Sequence, residues 1–321
     1  MNEGPHVLVL CGGPDAERDV SLKGGRAVTD ALQRGGEFTA ELRVIDRITP
    51  ADLAAMRADV LWPLLHGPWG EGGPMQDILE RDGRPYVGCR PGAARLAMDK
   101  LATKLAAARE GLYVPGGAVF NPRDPEPPLP LPVVVKPNFE GSTIGLHVCR
   151  TREEWDAAHA ATVRASAPAL VEPFIAGREL TAGVLDNGDG LTALPLIEIA
   201  PKDGFYDYDA KYLRNDTTYT VEPDIGFEMT HEIQRRALTL AKALGVRHLA
   251  RADFILPHEP DFRAGRGRVE PVLLEINTMP GFTDHSLVPM SAARVGLDMP
   301  ALCASLVRCA LRDAHERHAH R

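Results

Sequence analysis

Apolar and polar positions alternate in blocks from the first residues of the chain. Val7 to Leu10 is a short, continuous apolar run, the mark of a strand covered on both faces. Gly12-Gly13-Pro14 ends it. Ser21 to Gln33 then reads as a helix stopped by Gly35-Gly36. Further apolar stretches follow at Leu42 to Ile45 and Val60 to Leu65, so the opening predicts an α/β unit with a parallel sheet. Ala94 to Glu110 reads as one alanine-rich helix closed by Gly111, and Pro122 to Pro132 as a loop. Val133 to Val135 is a strand, Glu140 to Gly145 a glycine loop, and a further strand ends at Val148. Thr151 to Glu154 has the form of a capping box, with Trp155 starting the apolar face of the helix it opens. Leu170 to Glu172 and Glu179 to Leu185 read as strands, which makes the middle of the chain a second, α+β unit. The last part predicts strands at Leu194 to Ile199, Ala252 to Leu256 and Val272 to Ile276. Helices are predicted at His231 to Leu244, closed by Gly245, and at Pro300 to Asp313. An aromatic loop, Phe205 to Tyr212, lies between the first of these strands and the first of these helices. The tail, with His315, His318 and His320, reads as a frayed, solvated end.

Composition narrows the function. A chain of 321 residues suggests two or three structural units. Its net charge of −8 argues against a nucleic-acid binder, which needs a basic face. The 44% hydrophobic and 25% charged residues are an ordinary globular balance. Five cysteines (Cys11, Cys89, Cys149, Cys303 and Cys309) lack metal-type spacing and fit a reducing compartment. The N-terminal apolar run is too short for a signal peptide, and no run reaches membrane length. The expectation is a soluble, cytoplasmic protein with no membrane and no nucleic-acid partner.

Several residues carry candidate chemistry. Glu275 and Asn277 are two apart in a strand and share a face, with Leu274 and Ile276 predicted to point the other way. A carboxylate and an amide oxygen at the end of a buried strand suit a hard cation such as Mg²⁺. Arg251 and Asp253 repeat the spacing. The Glu140 to Gly145 loop lies between two strands, so it is neither a Walker loop nor a dinucleotide fingerprint, but its backbone N–H groups can fold over phosphates. Lys136, just upstream, can meet a phosphate as a point charge. Gly12-Gly13 lacks the third glycine of a dinucleotide turn. Glu17 by itself reads as a first-turn acid complementing a helix dipole. His66 stands just past an apolar strand, where open α/β sheets place ligands, and neighbouring Glu71 is equally open between structure and function. Lys100 and Lys104, one turn apart, read as a solvated helix face.

Taken in order, these residues resemble the D-alanine-D-alanine ligases of the ATP-grasp superfamily. The pieces are Gly12 to Ser21, Leu65-His66-Gly67, Met98-Asp99-Lys100, Val135-Lys136-Pro137 and the Glu140 to Gly145 loop. They continue with Phe205 to Tyr212, Arg251 to Asp253, Glu275 to Gly281 and His285 to Pro289. The resemblance spans nearly the whole chain.

It implies a three-domain ATP-grasp fold, combining α/β and α+β parts, with an N-terminal Rossmann-like parallel-sheet domain. Residues 1–92 would form the N-terminal amino-acid side, 93–180 a central ATP-grasp subdomain, and 181–321 a C-terminal one. Asp253, Glu275 and Asn277 would hold two Mg²⁺ (or Mn²⁺) ions. Lys100, Lys136 and Lys211 would contact ATP phosphates, with Ser142 closing above. Glu172, Phe174, Ile175 and Glu179 match the adenine and ribose pocket. Glu17 would bind the ammonium of the first D-alanine and hydrogen-bond with Ser142 and Tyr212. His66 would sit near the second D-alanine, and Ser286 and Leu287 would receive its carboxylate. Arg251 and the N–H of Gly281 would hold the oxyanion, and the amine proton would go to His66 or to the Tyr212–Ser142 pair. A homodimer making D-alanyl-D-alanine for peptidoglycan is implied. The alternatives are a related ligase with another amino-acid or hydroxy-acid second substrate, or an inactive ATP-binding relative.

The chain departs from the family pattern in two places. After His66 the family has Gly-Glu-Asp-Gly-Thr, then Ile or Leu, then Gln-Gly. Here the run is Gly70-Glu71-Gly72-Gly73-Pro74-Met75-Gln76-Asp77. Pro14 and Asp15 replace small polar residues near Glu17.

Overall fold

The computed structural model describes residues 4–202, 216–259, 267–283 and 285–319. The elements run β1 (His6–Gly12), α1 (Arg18–Gly35), β2 (Thr39–Ile45), α2 (Pro50–Ala54), β3 (Val60–Pro63), α3 (Gly67–Gly70), α4 (Pro74–Asp82), α5 (Pro91–Met98) and α6 (Lys100–Arg109). Then come β4 (Ala118–Val119), β5 (Val133–Pro137), β6 (His147–Cys149), α7 (Arg152–Ala165), β7 (Ala169–Pro173), β8 (Gly177–Asp186), β9 (Leu191–Pro201) and β10 (Thr217–Val221). The chain closes with α8 (Phe227–Leu244), β11 (Leu249–Pro257), β12 (Val272–Asn277), α9 (Leu287–Arg294) and α10 (Met299–Ala319).

These strands form three sheets among the described residues. The first is parallel, in the order β2-β1-β3, with β1 at its centre. The complete burial of Val7 and Val9 explains the unbroken apolar run. The second, β4-β7-β5-β6, and the third, β10-β9-β8-β11-β12, are antiparallel. In the second sheet Val133, Val135 and Val171 face a core closed by Trp155 of α7. That helix opens on the predicted capping box between Thr151 and Glu154. Leu180, Ala182 and Val184 of β8 and Ala252 and Phe254 of β11 form a core with α8. The last helix packs back onto the first sheet, so Leu302 and Leu306 of α10 share a core with Val7 and Val9.

Four expectations change. The helix predicted over Ala94 to Glu110 is two helices broken at Asp99. Asp99 caps α6 by accepting from the Ala102 N–H at 3.0 Å, and Asn138 holds the break by donating to Asp99 and accepting from the Leu101 N–H. The helix after β1 starts at Arg18 rather than Ser21, which makes Glu17 its N-cap residue, though its side chain makes no capping bond. A β-bulge between Asp253 and Phe254 skips Leu274, so strict alternation fails on β12. Leu273 and Ile276 go to the core, while Leu274 lines the cleft beside Glu275. The tail predicted to fray continues as α10 to Ala319, with His315 exposed; His320 lies outside the described residues. Among the described residues no single helix is long and apolar enough to cross a membrane.

Candidate active site

The inner faces of the second and third sheets enclose a cleft of about 510 Å³. Lys136 and Glu172 enter from one sheet, Asp253 and Glu275 from the other, and Lys100 from the start of α6. Phe174, Ile175 and Glu179 line the wall where β7 passes into β8, and Glu140, Gly141 and Thr143 of the glycine loop form the roof.

The polar side chains here are buried and paired. Glu172 is 3% exposed and stands between two lysines, 3.0 Å from Lys104 Nζ and 2.8 Å from Lys136 Nζ. Burial pushes the Glu172 carboxyl up, but Lys136 and Lys104 together outweigh it and hold it below its usual value. Lys104 also donates to the Leu274 carbonyl at 3.1 Å. Burial, aided by the charge of Lys136, lowers Lys104 to about 8. Lys104 is therefore no part of a solvated face, and neither is Lys100, which donates to the Glu140 carbonyl and lies 3.4 Å from Glu275. The break at Asp99 turns α6 so that both lysines, one turn apart, point inward. Only this long-range packing identifies Lys104. Its i,i+4 spacing to Lys100 is the sole trace in the sequence.

The third sheet sets the oxygen donors. Asp253 and Glu275 are cross-strand partners, as are Arg251 and Asn277. Asp253 accepts from Arg251 Nε at 2.9 Å, from its Nη2 at 2.8 Å and from the Thr181 hydroxyl at 2.6 Å. Asn277 Oδ1 accepts from the Met279 N–H at 2.8 Å. Among the described residues no three His, Cys, Asp or Glu side chains cluster as a metal cage. The donor set nonetheless fits Mg²⁺, which is held by one or two carboxylates together with substrate phosphates rather than by an all-protein cage.

A second group of residues adjoins the glycine loop. Ser142 and Thr143 adopt left-handed backbone, at φ 48° and 61°, and turn the loop over the cleft. The Ser142 hydroxyl donates to the Glu17 carboxylate. Glu17 is 7% exposed, and His66 and Glu71 both feel its charge and that of Arg251. Burial lowers His66, and burial followed by Glu17 raises Glu71 well above the carboxylate range, so both shifts favour the neutral forms. The His66 and Glu71 side chains are 3.9 Å apart. Gly281 packs beside Ser286, whose hydroxyl accepts from the Thr283 N–H at 2.9 Å, and Leu287 begins α9. Lys211 and Tyr212 lie outside the described residues, as does the rest of the aromatic loop from Phe205.

Known proteins resemble this chain in sequence and in fold. Residues 123–308 match the family described as D-ala D-ala ligase C-terminus. The D-alanine--D-alanine ligase of Bordetella petrii is 39% identical over 313 residues, covering 96% of this chain and 93% of the relative. That of Gluconobacter oxydans is 40% identical over 311 residues, covering 95% and 99%. Among solved structures, the D-alanine-D-alanine ligase from Coxiella burnetii superposes with a TM-score of 0.81 at 25% identity, covering 99% of this chain and 97% of that one. The VanG D-Ala:D-Ser ligase from Enterococcus faecalis gives 0.79 at 26% identity, covering 96% and 100%. With an ATP-grasp fold and matches of this extent at both levels, the chain belongs to the D-alanine-D-alanine ligase family.

Proposed function

We propose that this protein joins two molecules of D-alanine into D-alanyl-D-alanine at the expense of ATP, releasing ADP and phosphate, for peptidoglycan precursor synthesis. One observation carries the reading beyond family membership. The lysine and carboxylate cleft and the Glu17–Ser142 contact meet at a single glycine loop, so a phosphoryl donor and an amino-acid carboxylate can be brought together there.

The residue roles are those the family resemblance implies, set on the geometry of the cleft. Phe174, Ile175 and Glu179 form the wall that receives adenine and ribose, with Glu172 behind it. Lys100 and Lys136, with Lys211, neutralise phosphate charge, and Ser142 and the glycine loop close from above. Asp253, Glu275 and Asn277 would hold two Mg²⁺ (or Mn²⁺) ions, which would supply charge stabilisation for the transferred phosphoryl group. Glu17, kept in place by Ser142, takes the ammonium of the first D-alanine so that its carboxylate faces the cleft, and the family resemblance gives Tyr212 a part in the same contact. That carboxylate becomes an acylphosphate, which the amine of the second D-alanine attacks. Arg251 and the Gly281 N–H stabilise the oxyanion. One such donor typically contributes about 10²–10³ in rate. His66, buried and with its neutral form favoured, takes the proton of the attacking amine in one route, and the Tyr212–Ser142 pair takes it in the other. Ser286 and the N–H of Leu287 receive the second carboxylate. Burial of the groups around the cleft favours exclusion of water from the acylphosphate.

The division into 1–92 for the amino-acid side, 93–180 for the ATP-binding centre and 181–321 for metal, phosphate and second substrate rests on the family resemblance; the three sheets support three units, but β8 of the third sheet begins at Gly177 and α10 packs on the first sheet. The five cysteines are all reduced and buried, which supports a cytoplasmic setting. The homodimer rests on the family resemblance alone.

Phosphate release from ATP and Mg²⁺ with D-alanine, read beside product mass, tests the reading. A panel of other D-amino acids, L-alanine and D-lactate is run in parallel. Dipeptide formed from D-alanine alone is the expected result. Release only with another acceptor, or ATP binding with no turnover, would overturn it.

A further inference from the structure

Asp15 lies in the loop between β1 and α1, two residues before Glu17. Its carboxylate Oδ2 accepts from the backbone N–H groups of Trp69 at 2.9 Å and Gly70 at 3.3 Å. Those donors belong to the single turn of α3, which starts immediately after His66. The Gly67 N–H of the same turn donates to Glu71 Oε1 at 3.2 Å. N–H groups in a first turn have no intrahelical partner, and bonds to a carboxylate are the strong kind. Two acidic side chains thus hold this turn, Glu71 from within its own segment and Asp15 from the loop that carries Glu17.

The approach is built closely. A Cβ at Gly67 would lie 2.5 Å from the Asp15 Cβ, and Gly67 has φ +78°. Trp69 is 8% exposed and sits in a core with Leu65 and Met75, so the turn has a fixed base. A Cβ at Gly72 would lie 2.4 Å from the Pro68 carbonyl, which excludes the family's aspartate from this turn. Asp15 and Gly72 are both departures from the family pattern, one on each loop. The structure brings the two loops together.

We propose that Asp15 is a positioning residue: through the Trp69 and Gly70 N–H groups it ties the His66–Glu71 turn to the loop carrying Glu17, and so sets how the second amino acid is received. Asp15 acts through the backbone of the turn and not by touching substrate. The inference rests on the ligase reading for its consequence in turnover, but the tie itself does not.

The test compares wild type with Asp15→Ala and Asp15→Asn. Initial rates over D-alanine concentration are fitted to two amino-acid sites, and amide hydrogen exchange is followed at residues 66–71 and at the glycine loop. In Asp15→Ala the second-site KM rises about tenfold, as expected for losing a charged hydrogen-bond acceptor, while the KM for ATP and for the first D-alanine stays within about twofold. The Trp69 and Gly70 amides exchange faster, and the glycine loop does not change. Asp15→Asn, which keeps an acceptor oxygen, recovers most of the second-site KM. Equal loss at both amino-acid sites, unchanged kinetics, or unchanged exchange at Trp69 and Gly70 would each overturn the proposal. If wild type forms no dipeptide, the ligase reading falls, and the exchange measurement alone decides whether Asp15 holds the turn.

Discussion

Ser142 and Glu17 are 125 residues apart, and the hydroxyl of one donates to the carboxylate of the other. Glu17 stands at the N-cap of α1, but its side chain makes no capping bond there and is held instead by the glycine loop. Where the loop carries that hydroxyl, Ser142 and Thr143 hold left-handed backbone, a conformation non-glycine residues seldom adopt. Strain of this kind persists where surrounding contacts over-determine it.

Ser142→Ala removes the donor and leaves Glu17 less constrained. The expected outcome is a rise of about tenfold or more in the KM for the first D-alanine together with a lower kcat. ATP affinity, measured by calorimetry without amino acid, should change little. A variant with unaltered amino-acid kinetics would remove Ser142 from the site.

Lys104 gives a stability prediction with a definite sign. Its value falls from 10.5 to about 8 on folding, chiefly by burial. Between those pH values the unfolded chain binds the proton more tightly, so this group makes stability rise with pH across the window and lowers it below. Lys104→Met should therefore flatten the slope of unfolding free energy against pH from 8 to 10.5, relative to wild type. Denaturant titrations at several pH values measure that difference directly. The variant also leaves Glu172 with Lys136 alone, and nucleotide affinity should fall.

His248 ties three parts of the chain together. It is fully buried, its Nδ1 accepts from the Gly88 N–H at 3.0 Å, and its Nε2 lies 3.1 Å from Asp313 on α10. Accepting at Nδ1 requires a neutral ring that donates from Nε2. Burial lowers its affinity for a proton despite Asp313. The unfolded chain takes up that proton near 6.5 and the native one does not, so stability is lost as pH falls below 6.5. His248→Asn keeps an acceptor for Gly88 and tolerates the left-handed φ of 65°. It should cost about 1–3 kcal/mol at neutral pH through the lost Asp313 bond, and remove this part of the acid sensitivity. Thermal melts at pH 7 and pH 5.5 check both.

Asp253 and Glu275 are partners across two strands, and both line the cleft. Asp253→Asn and Glu275→Gln should each lower kcat by at least about a hundredfold. Each should also raise the Mg²⁺ concentration needed for half-maximal turnover. A chelator should abolish wild-type turnover and added Mg²⁺ or Mn²⁺ restore it. Metal titrations of turnover, with circular dichroism to confirm folding, decide the matter.

Local patterning was enough to place most elements. The apolar run at Val7, the capping box at Thr151 and the glycine stops after Gln33 and Leu244 are set by neighbours in the chain, and each is where periodicity and cap chemistry put it. The order of motifs from Gly12 to Pro289 likewise carried the family, because residues that touch a common substrate are constrained in type wherever they lie. Four features were not legible: the break at Asp99, the burial of Lys104, the turn of Leu274 into the cleft and the reach of Asp15 to Trp69. Each depends on a distant partner: Asn138 for the break, Glu172 for the lysine, the β11 bulge for the leucine and the α3 turn for the aspartate. Side-chain type and spacing determine what a segment can form by itself. Which lysine is buried and which carboxylate anchors a turn depend on where the chain returns, and that is decided by packing between the sheets.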